Sequence, residues 1–218
     1  HGVPLMQENA LSDLAARYPF FTVTDMTCPF VRKIHRIADE NTGDDTVFFL
    51  LGSAAHPEVE GILSHVRGEK YVFGTAGELE GLLQTHDFSG KMLIFAAQTT
   101  QNLSEWEKSQ KIIKKLYTNA KKFDTICNVT EMRQREAVLL AEKSDCVIVI
   151  GGHESSNTGK LYDLCRAHCP HTVWVESRAD LPPRLPCRTG GDIHISITAG
   201  ASTPGDIIRE VAEAMENE

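Results

Sequence analysis

Apolar residues fall along this chain in two alternating patterns. Short unbroken runs, TVFFLLG (46–52), MLIFAA (92–97) and CVIVI (146–150), have the length and composition of strands buried on both faces. Residues 20–24, 71–74, 172–176 and 192–198 read as further short strands. Between them, apolar residues recur at helical spacing over 5–17, 29–40, 58–65, 77–85, 103–119, 129–143, 158–168 and 204–215. In the long helix 103–119, Ile112, Ile113 and Leu116 are expected to face inward, with lysines outward. The last helix is expected to be capped by Thr203, with Pro204 at its first position. This rhythm predicts an α/β fold: two similar lobes, each a parallel sheet flanked by helices. The division between them is expected within 120–125, after the long helix.

Composition narrows the class. The 218 residues carry a formal charge of −8, which argues against a nucleic-acid polyanion as main partner. No apolar run approaches the ~20 residues that span a bilayer, and no secretory signal is visible, so no membrane role is expected. Cysteines stand at 28, 127, 146, 165, 169 and 187, without a CxxC pair or the spacing of a small disulfide framework. A reduced, cytoplasmic protein is expected. The chain opens on His1 rather than Met, which suggests part of a longer parent.

Polar clusters gather where strands end and helices begin, the edge at which open α/β sheets bind ligands. Cys28 lies between a polar strand end and Pro29, a helix-start position that favours a thiolate; Cys127, in DTIC, repeats the setting before another helix. His56-Pro57-Glu58 follows the strand TVFFLLG and can hold an anion and shuttle a proton, or simply cap a helix. Gln98-Thr99-Thr100 follows MLIFAA and can bind substrate oxygens or cap the long helix. Ser155-Ser156-Asn157-Thr158 follows CVIVIGG; the paired glycines allow close approach, and small polar side chains lead into a helix N-terminus suited to phosphate. TAGASTP (198–204), with Ser202 and Thr203, offers a second such nest or an ordinary cap. Cys146, Cys165, Cys169, Trp106 and Trp174 read as packing residues. His35, His65, His86, His153, His171 and His194 read as solvated or structural. Taken together, two thiols, one acid and phosphate binders without a lysine or arginine cradle suggest a metal–sulfur centre acting on a small phosphorylated substrate.

The segments HGVP (1–4), DMTCPFVRKIH (25–35), GSAAHPEVEG (52–61), QTT (98–100), DTIC (124–127), SSNT (155–158) and ITAGASTP (197–204) resemble 4-hydroxy-3-methylbut-2-enyl diphosphate reductase, in matching order over essentially the whole chain. The resemblance implies a fold of three α/β lobes around a [4Fe-4S] cluster held by three cysteines. It makes Cys28 and Cys127 two cluster ligands, with the third cysteine upstream of the HGV motif. His1, His56, Thr99, Thr100, Ser155, Ser156, Asn157 and Ser202 would contact the diphosphate substrate. Glu58 would relay protons to the departing hydroxyl, with Thr99 in the hydrogen-bond chain. The lobes would be 1–27 (end of a first lobe), 28–122, 123–203 and a returning helix 204–218. Ferredoxin or flavodoxin would supply electrons. With two of three cysteines, this chain alone is expected to be inactive. Two other classes remain open: a non-catalytic α/β anion-binding module without a cluster, and a zinc protein using Cys28 and Cys127.

Overall fold

A computed structural model describes residues 2–187 and 193–216. The chain packs as two compact units, His1–Cys127 and Asn128–Glu218. The division thus falls just beyond the expected 120–125, immediately after Cys127. The stretch 1–27 belongs to the first unit, and the last helix to the second.

In the first unit, α1 (Leu5–Arg17) and α2 (Pro29–Asn41) precede β1 (Thr46–Leu51), α3 (Pro57–Ser64), β2 (Glu69–Phe73), α4 (Ala76–Thr85), β3 (Met92–Ala97), α5 (Leu103–Leu116) and the two-residue β4 (Lys121–Lys122). The strands form one parallel sheet in the order β2-β1-β3-β4. Every residue of β1 is buried, because the strand is central and helices cover both faces. Its side chains divide with period two. Val47, Phe49 and Leu51 pack with Phe73, Leu79, Phe88, Phe95 and Trp106 under α4 and α5. Phe48 and Leu50 pack with Ile34, Ala38, Val59 and Ile62 under α2 and α3. Each such side chain contributes roughly 1.5–3 kcal/mol of burial, so the sheet is fixed in register from both sides.

The second unit repeats the layering on a smaller scale. It contains α6 (Asn128–Ala141), β5 (Cys146–Ile150), α7 (Ser156–His168), β6 (Thr172–Val175), a 3-10 turn (Arg178–Asp180), β7 (Ile195–Ala199) and α8 (Gly205–Glu216). Its parallel sheet has the order β6-β5-β7. Val147 and Val149 meet Ala137, Ala141, Leu161 and Cys165 on one face; Ile148 and Ile150 meet Val175, Ala199 and Val211 on the other.

Some expectations are corrected. Residues 20–24 form no strand: they pair with no described segment, and Phe20 is 88% exposed. The strand expected over 192–198 is Ile195–Ala199, and Asp192 lies outside the described residues. In α5, Ile113 is buried, but Leu116 at the helix end is 56% exposed. Pro204, not Thr203, accepts the first bond of α8, from the Ile208 N–H, while the Thr203 hydroxyl donates to the Ile150 carbonyl at 3.0 Å. Of the two readings given for His35 and His65, the structural one is realised: both are buried, stacked with ring centroids 4.3 Å apart. Burial first, then the neighbouring His65, pushes His35 down to about 4, so its ring is neutral near pH 7.

Candidate active site

Both sheets have a topological switch point, where one connection leaves to the left of the first strand and a later one returns to its right. In the first unit it lies between the carboxyl ends of β1 and β3, with β2 on the far side of β1. The loop after β1 leads to His56, Pro57 and Glu58, and the loop after β3 carries Gln98, Thr99 and Thr100. The two loops meet. Glu58, 1% exposed, accepts the Thr99 N–H at Oε1 (2.7 Å) and the Thr99 hydroxyl at Oε2 (2.8 Å). One residue thus satisfies both carboxylate oxygens of a buried acid, and its hydroxyl can also pass a proton on. The Thr99 carbonyl accepts the Cys127 N–H at 2.9 Å, tying the acid's partner to the end of DTIC.

The capping reading of His56 is realised in part. Its Nδ1 accepts the Glu58 N–H at 3.1 Å, so in the neutral ring the proton sits on Nε2. The capping reading of Gln98–Thr100 is not realised: α5 is capped by Asn102, whose Oδ1 accepts from the Glu105 N–H. Gln98 is fully buried, accepts the Ser53 N–H at Oε1 (3.1 Å), and donates through Nε2 to the Thr100 hydroxyl (3.3 Å). Thr125, buried, both accepts from the Ala97 N–H and donates to its carbonyl. Gln98 and Thr125 hold the two loops in place. Both lie in the motifs QTT and DTIC, yet only their burial reveals this role.

Cys28 is exposed and immediately precedes α2, with Pro29 supplying the helical φ at the first position. Five residues along α2, Lys33 Nζ donates to the Asp124 carbonyl at 3.2 Å, which brings this helix start and DTIC to the same part of the unit. Cys127 is half-buried.

In the second unit the switch point lies between β5 and β7. Ser155 caps α7, its hydroxyl accepting the Thr158 N–H at 3.3 Å. Ser156 and Asn157 occupy the first turn, where backbone N–H groups have no partner within the helix. Asn157 Nδ2 and Thr158 Oγ1 are buried with no hydrogen-bond partner among the described residues. Such atoms fit a missing anionic acceptor at a helix N-terminus. Thr158 packs against Gly151 and Gly200, the glycines that end β5 and follow β7. Ser202 is exposed in the loop after β7. Arg133 Nη1 donates to the Ala199 carbonyl at 2.7 Å, which places a guanidinium at the end of β7. His1 lies outside the described residues.

Residues 1–216 match the family described as LytB protein. The chain belongs to the LytB family. It is 37% identical over 218 residues to the 4-hydroxy-3-methylbut-2-enyl diphosphate reductase of Nitratidesulfovibrio vulgaris (strain DP4), covering 100% of this chain and 71% of that protein. It is 37% identical over 199 residues to the enzyme of that name from Geotalea uraniireducens (strain Rf4), covering 89% of this chain and 66% of the relative. Among solved structures it is similar to an (E)-4-hydroxy-3-methyl-but-2-enyl diphosphate reductase described as the terminal enzyme of the non-mevalonate pathway. That match has TM-score 0.58 and 32% identity, covering 100% of this chain and 74% of the other. The fold alone is shared with the Plasmodium falciparum E-1-hydroxy-2-methyl-but-2-enyl-4-diphosphate reductase, at TM-score 0.81 and 21% identity over 100% of this chain and 65% of the other. No helix among the described residues of this LytB chain is long and apolar enough to cross a membrane.

The cysteines of the LytB chain separate into two kinds. Burial, then a hydrogen bond with Cys187, pushes Cys146 up to about 12; burial, then Cys169, pushes Cys165 up to about 11. These are thiols packed in the second sheet and its helix, poor metal donors at neutral pH. Cys28 and Cys127 lie outside that core. At pH 8 iodoacetamide is expected to label Cys28 first, while Cys146, fully buried and held as the thiol by that burial, stays unlabelled until the chain unfolds. Peptide mass spectrometry over a labelling time course reads this directly. Equal labelling of Cys28 and Cys146 in the folded chain would contradict the placement of both.

Proposed function

We propose that this chain supplies the proton-delivery and diphosphate-binding machinery of a 4-hydroxy-3-methylbut-2-enyl diphosphate reductase, an oxidoreductase of isoprenoid precursor synthesis. The observation that carries it is the buried Glu58 carboxylate gripped by both donors of Thr99, at the switch point of a LytB-family sheet. The reaction removes the allylic hydroxyl: the C–O bond breaks, two electrons enter, one proton leaves with the oxygen as water and a second forms the new C–H bond. The products are isopentenyl and dimethylallyl diphosphates.

Each group has a task suited to its place. Protonated Glu58 gives its Oε2 proton toward the departing oxygen, with the Thr99 hydroxyl accepting and donating in relay. Thr100, held by Gln98, lines the same loop. His56 offers Nε2–H to the diphosphate, because Nδ1 is engaged by the Glu58 amide. His1, from HGV, is assigned to the substrate by resemblance alone. Ser155, Ser156, Asn157 and Ser202 give hydroxyl, amide and helix-terminal N–H donors to diphosphate oxygens, and the buried Asn157 Nδ2 gains there an acceptor that no described residue supplies.

The donor chemistry of Cys28 and Cys127 fits two thiolate ligands of a [4Fe-4S] cluster: both soft sulfurs belong to the first unit, whereas the packed thiols belong to the second. When bound, the cluster supplies electrons and Lewis acidity; ferredoxin or flavodoxin would recharge it in the cytoplasm. Two thiolates hold such a cluster poorly, so turnover requires a third from the longer parent, and the 218 residues alone are expected to be inactive. The lobe limits 28–122 and 123–203, with 204–218 returning toward a first lobe, belong to the same proposal.

Anaerobic reconstitution with iron and sulfide tests this, with iron analysis and EPR on the chain and on the parent sequence that contains it. The longer protein is expected to hold four irons and reduce the diphosphate substrate, and Cys28→Ser to abolish both. If neither form holds iron and Cys28→Ser changes nothing, the cluster assignment fails and the anion-binding module is the better account.

A further inference from the structure

Three helices of the first unit bring together a group of side chains with no part in the chemistry above. Glu8 comes from α1, His35 from α2, and His65 from the C-terminal cap of α3. One ring nitrogen of each histidine and one Glu8 oxygen lie within 4.8 Å of one another. The Glu8 carboxylate stands across from both rings: Oε1 is 3.8 Å from His35 Nδ1, and Oε2 is 3.9 Å from His65 Nε2. Neither separation is a hydrogen bond. His65 Nε2 and His35 Nε2 are both buried without a hydrogen-bond partner among the described residues, in side chains only 4% and 6% exposed. His65 Nδ1 lies 3.0 Å from Asp39 Oδ2. With Nδ1 engaged by Asp39, Nε2, 3.9 Å from Glu8 Oε2, is the ring nitrogen that can face a metal.

We propose that Glu8, His35 and His65 form a binding site for a divalent transition-metal ion of zinc type, with Asp39 orienting His65 from behind. Two imidazoles and a carboxylate are a borderline donor set that suits zinc. Bonds of about 2.0–2.2 Å at a tetrahedral angle separate donor atoms by about 3.3–3.5 Å, so the three donors, now within 4.8 Å of one another, must draw together around the ion. Glu8 can make that move, because its side chain is 37% exposed on a helix that buries no residue. The Asp39–His65 pair is the carboxylate–histidine arrangement that fixes a metal-bound ring. A cleft of about 380 Å³ reaches the group; its other charged lining residues are Asp25, Asp39, Glu40, Arg36 and Arg32, the last paired with Asp25 at 2.8 Å.

The site would act as a staple. Helix α1 contributes nothing to the buried core, and its start is held by the Leu5 N–H on Ser64 Oγ at 2.8 Å. A metal joining α1 to α2 and α3 would fix the segment Gly2–Val3 that leads into α1, where Gly2, at φ +76°, packs on the His35 ring. The inference does not depend on the proposed reductase activity.

Cobalt(II) and zinc(II) are the probes, added to chelator-treated protein in a Cys28→Ser/Cys127→Ser background that removes the two exposed or half-buried thiols of this unit. One cobalt per chain is expected, with weak visible bands and no intense thiolate-to-cobalt absorption in the near ultraviolet. Zinc should displace it. Glu8→Gln, at an accessible position unable to disturb the core, should weaken binding at least about 100-fold, and Asp39→Asn about 10–100-fold. His65→Gln should do as much as Glu8→Gln if it folds; Glu8→Gln decides the matter if it does not. Equal affinity in the parent and in Glu8→Gln, a thiolate band, or no stoichiometric binding would overturn the proposal.

Discussion

Glu58→Gln in the complete reductase is expected to lower kcat by about 10²–10⁴-fold while leaving KM within a few-fold, the signature of losing one positioned proton donor. The substitution conserves volume. The amide oxygen can still accept the Thr99 N–H that Oε1 now takes at 2.7 Å, and the amide nitrogen can donate to the Thr99 hydroxyl, which lies 2.8 Å from Oε2. Iron content and fold should therefore be unchanged, and the deficit should appear in turnover alone. Thr99→Ala acts differently. It removes the relay hydroxyl and with it one hydrogen bond to a carboxylate that is 1% exposed, at a cost of about 1.5–3 kcal/mol in stability as well as activity. Steady-state kinetics with a strong artificial reductant, beside iron analysis, separates the two. A Glu58→Gln enzyme with kcat within threefold of the parent would remove Glu58 from the proton path.

The sequence made the strands legible where both faces are buried. TVFFLL, MLIFAA and CVIVI are unbroken apolar runs because helices cover each side of a central strand. It misled where a strand depends on a neighbour. Residues 20–24 have strand composition but no partner among the described residues, and pairing is a property of the sheet rather than of the segment. Leu116 continues the helical period of α5, yet the helix there has run past the layer it covers, so period no longer predicts burial.

The motifs at strand ends were legible as motifs, since polar residues between an apolar run and a helix have few other uses. Which of them meet was not. Glu58 and Thr99 are 41 positions apart, and they touch because β3 returns beside β1 on the side opposite β2. Strand order is a long-range choice that periodicity does not encode. The Glu8, His35 and His65 cluster is harder still: Glu8 and His35 sit in helices and His65 caps one, each with an ordinary local explanation, and only three-helix packing reveals the shared space. The packed cysteines were read correctly from their place in apolar strands and helices, because burial there follows from local pattern alone.

The second large effect is expected from Gly151→Ala. Gly151 ends β5 at φ +146°, in a region that side-chain-bearing residues rarely enter. A Cβ there would lie 2.6 Å from Thr158 Oγ1 and 2.8 Å from Thr203 Oγ1. Neither hydroxyl can yield freely: Thr158 is fully buried in the first turn of α7, and Thr203 donates to the Ile150 carbonyl at 3.0 Å. Backbone strain of about 1–3 kcal/mol and overpacking of about 1–3 kcal/mol point the same way, to a second unit weakened by roughly 2–6 kcal/mol. The chain provides its own reporters, because its two tryptophans fall one in each unit: Trp106 in the first, and Trp174 in the second, where its indole N–H donates to the Gly151 carbonyl at 2.6 Å. Urea unfolding followed by Trp174 fluorescence in a Trp106→Phe background should move to lower denaturant. The transition followed by Trp106 in a Trp174→Phe background should stay where it is. The same substitution displaces the start of α7, where Ser155, Ser156 and Asn157 would meet the diphosphate, so in the complete reductase KM should rise more than kcat falls. An unmoved Trp174 transition would mean that the loop re-forms around the methyl group, and that the close approach of Thr158 to Gly151 does not hold the α7 N-terminus in place.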